Sequence, residues 1–315
     1  MRRIVVATCA GLALSAWLLI APPTHAAPAT HSATASGSAP ASQPAKIQVE
    51  GPSTANHIDT YTITSDYQEK PCKLYVLLPD NFDKAKKYKV LYILPVNKAP
   101  SASGVIEARK LGLANKYDII CVGPDYSTVP WYGDNPGNPK VRYLSYVPEV
   151  IVPFIDKTYP TVAKAEGRML MGFSKSGIGV LTLLARYPEM FGRAGAWDTP
   201  LMLDETKEDW FYGSKEKFLG YYGTEENFKA NYILPSLWKE NAATLKSQPA
   251  RVAIVGYGDF KEDTAAAHKL LDELGIPHYY DNAIGREHDW SSGWMETMVT
   301  ALMSPDMTKA KPAEK

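Results

Sequence analysis

Cysteine is scarce in this chain: three in 315 residues, at positions 9, 72 and 121. So few thiols exclude a disulfide framework. Cys72 and Cys121 fall in strand-like segments where bridging geometry is demanding, so both are expected as free, buried thiols. Excess charge of one sign is also missing, because 34 Lys and Arg stand against 34 Asp and Glu. Such a balance gives no electrostatic reason to expect nucleic acid or an anionic membrane as partner. No Cys/His spacing of a metal site occurs, no Gly-Lys-Ser/Thr phosphate loop is present, and Gly256-Tyr257-Gly258 is too short for a dinucleotide fingerprint. No metal and no cofactor are therefore expected.

Long apolar runs are lacking except at the start, MRRIVVATCAGLALSAWLLIAPPTHA. There Arg2 and Arg3 precede an apolar run ending near Ile20, and Thr24-His25-Ala26 offers a small-residue cleavage site. The run is short of the ~20 residues that cross a bilayer, so it reads as a cleaved export leader (1–26) rather than an uncleaved anchor. A secreted or periplasmic location follows, with no membrane insertion after cleavage. Cys9 lies too early to be a lipid acceptor. Loss of Arg2 and Arg3 with the leader leaves 32 basic against 34 acidic residues.

Residues 27–46 contain 17 Ala, Ser, Pro, Thr or Gly in 20 and cannot bury enough to order themselves. They read as a disordered linker, with a folded domain over 47–305 and a flexible tail over 306–315. Within the domain, short apolar runs alternate with longer helical patterns, which predicts an α/β fold around a mostly parallel sheet with helices on both faces. KVLYILPV (89–96) and DIICVGPD (118–125) are continuous apolar runs suited to central strands. HIDTYTITSD and CKLYVLLP read as early strands, and SGVIEARKLGLANK as a crossover helix. RMLMGF, RAGAWDTP, RVAIVGYGD and PHYYDNA read as later strands, with helices over 261–274 and from about 292 to 303. Residues 201–250 break the alternation and read as a small insertion over the strand ends.

The chemistry centres on MGFSKSGIG, residues 171–179. Met169–Phe173 is a short apolar strand, Gly177–Arg186 an apolar helix, and Ser174 stands between them on the strand-to-helix turn that an exposed nucleophile requires. The competing reading is a plain helix cap at Ser174. A serine hydroxyl needs a base, and among six histidines only His288, in GREHDWSSGW, lies in a loop after the last strand and before a helix. A carboxylate should then fix the imidazole. Asp259, directly after the strand RVAIVGYG, is the candidate, with Asp263 as fallback. The chain order Ser174, Asp259, His288 puts each residue at the C-terminal end of a predicted strand. Backbone N–H donors for a developing oxyanion are expected at Lys175 and at Asn97, with Val96 second, because Pro95 has none. The Lys175 side chain, beside the nucleophile, reads either as a contact for an acid group on a substrate or as a solvated helix-start lysine. Among loop and insertion aromatics, Trp131, Tyr132 and Trp197 are candidate substrate contacts, with Tyr126, Trp210, Tyr212, Tyr221 and Tyr222 as further members of the group.

The run from YKVLYILP through DIICVGPD, STVPWYGDNPG, PFIDKTYP and GRMLMGFSKSGIGVLTLLARYPEMFGRAGAWD to GREHDWSSGW resembles the putative esterase family of α/β-hydrolases, over roughly residues 56–303. That family includes feruloyl and acetylxylan esterases, S-formylglutathione hydrolases and mycolyltransferases. The resemblance implies an α/β-hydrolase fold with Ser174, Asp259 and His288 as triad and Asn97 as second oxyanion donor. It departs from the family at Pro95-Val96, where His-Gly is usual, and at Ser176, where Gly is usual. The implied activity is cofactor-free hydrolysis of carboxylic esters through an acyl-serine, on small-molecule or polysaccharide esters such as feruloyl or acetyl esters. Two rivals remain: an acyltransferase onto a sugar hydroxyl, and a non-catalytic glycan-binding protein on the same scaffold.

Overall fold

The computed structural model describes residues 46–204, 213–246, 249–256, 258–282 and 285–311. The leader and all but the last residue of the linker lie outside these residues, as do Trp210 and Tyr212 in the insertion. Among the described residues nine strands form one sheet: β1 (Ile47–Ala55), β2 (Ile58–Ser65), β3 (Cys72–Leu77), β4 (Lys89–Ile93), β5 (Ile119–Pro124), β6 (Arg168–Phe173), β7 (Arg193–Trp197), β8 (Val252–Val255) and β9 (His278–Asp281). Their spatial order is β1-β2-β3-β5-β4-β6-β7-β8-β9. Pairing is antiparallel from β1 to β5 and parallel from β5 onward.

The sequence pattern explains the layers. β5 and β6 are buried at every position, as continuous apolar strands covered on both faces must be. Along β4 the period of two sends Val90 and Tyr92 to one core and Leu91 and Ile93 to the other. The first core is roofed by α3 (Val152–Thr158), which follows a π-helical turn at Val147–Ile151, by α4 (Ser174–Arg186) and by α9 (Lys261–Glu273). The second lies under α1 (Ser103–Lys110), α2 (Leu113–Tyr117) and α10 (Trp294–Met303). The predicted single crossover helix is broken into α1 and α2 at Gly112, whose φ of 64° only glycine adopts freely.

Residues 201–250 contribute α5 (Lys215–Tyr222), α6 (Glu225–Asn231), α7 (Leu234–Glu240) and α8 (Ala242–Leu245). Phe218, Tyr222, Phe228 and Tyr232 pack ring against ring, at centroid separations of 4.8–5.1 Å for the Phe218, Tyr222 and Phe228 pairs. Tyr222 Oη donates to Trp131 O at 2.9 Å, and Asp134 N donates to Tyr232 Oη at 2.8 Å, which ties the insertion to the 131–134 loop. Cys72 and Cys121 are free and buried, and burial pushes each thiol up to about 12. One expectation fails at the C-terminus: Met307 is fully buried in the second core, and Asp306 caps a short 3-10 turn there, so residues 306–309 belong to the packed domain. Among the described residues no helix is long and apolar enough to cross a membrane.

Candidate active site

Parallel strands deliver their C-terminal ends to one rim of the sheet, and the register decides which residues meet there. Phe173 of β6 pairs with Trp197 of β7, and Trp197 pairs with Val255 of β8. The residues that follow the first pair, Ser174 and Asp198, are therefore neighbours across a single strand spacing of about 4.8 Å. Both leave their strands with left-handed backbones, φ 51° at Ser174 and 41° at Asp198. Such conformations cost non-glycine residues about 1–3 kcal/mol and persist where surrounding bonds hold them. Here Ser174 N donates to Asp198 O at 3.1 Å, and Asp198 N donates to Val255 O at 2.9 Å.

The turn is tight because small residues line it. A Cβ on Gly172 would stand 2.6 Å from Ser176 O, and one on Gly177 would stand 2.0 Å from Thr199 Oγ1. Ser176, where the family pattern expects glycine, is fully buried. Its hydroxyl accepts from Phe173 N at 3.0 Å and donates to Phe173 O at 2.8 Å, so the extra atoms stitch the last residue of β6 to the first turn of α4.

His288 reaches this rim from the loop between β9 and α10. Its Nδ1 donates to Asp198 Oδ2 at 2.6 Å, which fixes the tautomer and leaves Nε2 free to accept a proton. The carboxylate is buried, 3% exposed, whereas the imidazole is 48% exposed, so the pair combines a fixed anchor with an accessible base. The ring rests edge-on against Phe173 at 5.0 Å, and Phe173 in turn stacks on Trp197 at 5.3 Å and meets Trp290 edge-on at 4.8 Å. The loop itself is held by Trp294 Nε1 donating to Glu287 O at 3.0 Å and by the Asp289 side chain capping Ser291 N at 2.8 Å.

The acid of the expected triad is thus corrected. The imidazole is held by Asp198, where Asp259 was expected. Register is the physical reason: Asp198 directly follows the strand beside the nucleophile, whereas Asp259 comes four residues after Val255 and one strand further out. Asp259 belongs to the 3-10 turn Gly258–Phe260, and its side chain lies outside the described residues. That turn lies close to the Asp198 carboxylate, since a Cβ on Gly258 would stand 3.6 Å from Oδ2. The fallback Asp263 is engaged elsewhere, accepting from Met202 N at 3.2 Å. The segment RAGAWDTP had already read as a strand, so its closing acid was available as a signal; what the sequence withholds is that β7 lies next to β6.

Ser174, Lys175, His288, Asn97 and Val96 line one cleft of about 520 Å³, walled on the far side by α1. Lys175 N lies in the first turn of α4, where backbone N–H groups lack intrahelical acceptors. Lys175 Nζ sits 5.2 Å over the Trp131 ring, and burial pulls its ammonium below the usual lysine value. Two expected substrate contacts are corrected by their burial. Tyr132 is 1% exposed, with its hydroxyl donating to Pro95 O at 2.5 Å, and Trp197 is 0% exposed, stacked on the Phe173 ring that the imidazole rests against. Both hold up the site from inside. Trp131 is itself nearly buried and meets the cleft through Lys175.

Known proteins share this arrangement of strands. The family model described as "Putative esterase" matches residues 65–304. Esterase Rv1288 of Mycobacterium tuberculosis, strain H37Rv, is 29% identical over 136 residues, which is 41% of this chain and 29% of that protein. Esterase MT1326 of strain CDC 1551 matches to the same extent, so the chain spans under a third of the length of these curated relatives. Among solved structures, a ferulic acid esterase superposes with a TM-score of 0.61 at 20% identity, covering 85% of this chain and 99% of that one. The S-formylglutathione hydrolase FrmB of Staphylococcus aureus gives 0.64 at 15% identity over 78% and 98%, and MPT51 (FbpC1) of M. tuberculosis gives 0.62 at 15% over 81% and 99%. These likenesses identify the fold as that of the α/β-hydrolases.

Proposed function

Because the chain belongs to the "Putative esterase" family, we propose that it hydrolyses carboxylic esters through an acyl-enzyme on Ser174, with His288 as general base and acid and Asp198 as the carboxylate that orients it. The observation that carries this is the 2.6 Å bond from His288 Nδ1 to Asp198 Oδ2 at the rim where Asp198 O also holds Ser174 N. His288 Nε2 takes the Ser174 proton as Oγ attacks the ester carbonyl. Collapse of the tetrahedral intermediate expels the alcohol, which leaves with that proton. Water, deprotonated by the same nitrogen, then attacks the acyl-serine and releases the acid. The N–H groups of Lys175 and of Asn97, or of Val96 beside it, receive the developing oxyanion.

For substrate class, feruloyl or acetyl esters of carbohydrate fit an open cleft with Lys175 and Trp131 at its side. The ferulic acid esterase likeness supports this choice. Ser174→Ala should lower turnover of p-nitrophenyl acetate by at least 10³-fold and abolish labelling by a fluorophosphonate, with the fold intact by circular dichroism. Full activity in that variant would refute the assignment. Product analysis with an added sugar acceptor reports any acyl transfer in place of hydrolysis.

A further inference from the structure

On the opposite side of β8 from the nucleophile's strand, at the sheet edge where α9 packs on β9, two histidines face each other. His268 Nδ1 lies 2.7 Å from His278 Nε2. The outer nitrogen of His278 is held by an oxygen, and that of His268 lies within ion-pair distance of one. His278 Nδ1 donates to Ile276 O at 2.7 Å, and His268 Nε2 lies 3.5 Å from Asp272 Oδ2, one helical turn along α9. Tyr280 stacks on the His268 ring at 3.9 Å and fixes its plane. One ring nitrogen of each histidine and an oxygen of Asp272 all lie within 4.8 Å of one another.

The two inner nitrogens are within hydrogen-bonding distance of each other, and the outer ones face a backbone carbonyl and a carboxylate, the outer partners that metal-ligating imidazoles have. Two imidazole nitrogens each about 2.0 Å from a metal and at right angles to it stand about 2.9 Å apart, close to the separation found here. We propose that His268 Nδ1 and His278 Nε2 bind a divalent transition-metal ion, with Asp272 orienting His268 and water completing the coordination. The near-right-angle spacing and the general affinity order favour Cu²⁺ over Zn²⁺. The bound ion would pin β9, the strand that leads into the His288 loop, to α9. The site stands apart from the esterase reading, since neither imidazole touches the cleft.

The test is titration of the full chain with CuCl₂ and with ZnCl₂ by calorimetry, together with electron paramagnetic resonance of the copper form. One equivalent of Cu²⁺ should bind with two nitrogen ligands in the spectrum. His268→Gln and His278→Gln should each weaken it at least tenfold, and Asp272→Asn by about tenfold. His57→Gln, a control for adventitious histidine binding, should leave it unchanged. Unaltered copper affinity in both His268→Gln and His278→Gln, or no stoichiometric binding by the unsubstituted protein, would overturn the proposal.

Discussion

Asp198 serves two partners at once: its carbonyl oxygen accepts from Ser174 N and its carboxylate accepts from His288 Nδ1. A single residue therefore sets both the backbone of the proposed nucleophile and the tautomer of the proposed base. Asp198→Asn keeps the carbonyl and the shape but presents an amide that can favour the wrong imidazole tautomer. We expect kcat on a small ester to fall by about 10³- to 10⁴-fold with little change in KM, while Asp259→Asn falls by less than tenfold. Equal losses in the two variants would return the role to Asp259. Lys175 poses a different question at the same scale. Its ammonium is drawn into the cleft wall over Trp131 and partly desolvated, so an anionic group on a substrate would compensate it. Lys175→Met should lower kcat/KM about tenfold more for an ester whose acyl part carries a free carboxylate than for its neutral counterpart. An unchanged ratio of the two would remove that role. Of the candidate residues, the places of Ser174 and His288 at the rim were legible because local order alone marks them, a serine at a strand-to-helix turn and a histidine in the last loop. Asp198 was not, because acids close several strands and only the β6–β7 register distinguishes this one. Tyr132 and Trp197 misled because aromatic residues beside a strand end read alike whether they face the cleft or support it from below.

At the scale of elements, β4, β5 and β6 could be read from their apolar runs, which burial on both faces demands. β1 could not: IQVEGPSTA is exposed at nearly every position, so no face imposes an alternation, and its pairing shows a bulge at Glu50–Ser53. The pairing of His268 with His278 was hidden for a related reason, since a helix residue and a strand residue ten apart meet only through the intervening turn. The elbow itself depends on how near α4 can approach β7. A Cβ on Gly177 would stand 2.0 Å from Thr199 Oγ1 and 2.8 Å from its Cγ2, and Thr199 is buried with its hydroxyl donating to Trp197 O at 2.8 Å. The threonine cannot turn aside without losing that bond. Gly177→Ala should thus destabilise the fold by about 1–3 kcal/mol, lowering Tm by about 2–4 °C per kcal/mol. Adding Thr199→Ala should recover part of the loss, and a Gly177→Ala protein as stable as the parent by thermal melting would show that the contact yields freely.

For the whole molecule, the group most telling about pH is Asp125, at the end of β5. It is fully buried, and its oxygens accept from Ser101 N at 2.7 Å and from Tyr75 Oη at 3.3 Å. Ser101 lies just beyond the 95–100 stretch that holds the proposed second oxyanion donor, so this carboxyl anchors that loop. Burial, outweighing those hydrogen bonds and the pull of Lys73, pushes it from 3.8 up to about 6. A carboxyl with a raised pKa binds its proton more readily in the folded state than in the unfolded one. Below the unfolded value both states are protonated and folding carries no penalty. As pH climbs through the window from 3.8 to about 6, the folded state must ionise a desolvated group, and stability contributed by this residue declines. Asp125→Asn retains an acceptor for Ser101 N and cannot ionise. The difference in Tm between the parent and Asp125→Asn should therefore shift against the parent between pH 4 and pH 7 and stay level above that. A difference that is flat across the window would mean that Asp125 is solvated enough to ionise in the folded protein at its ordinary pKa.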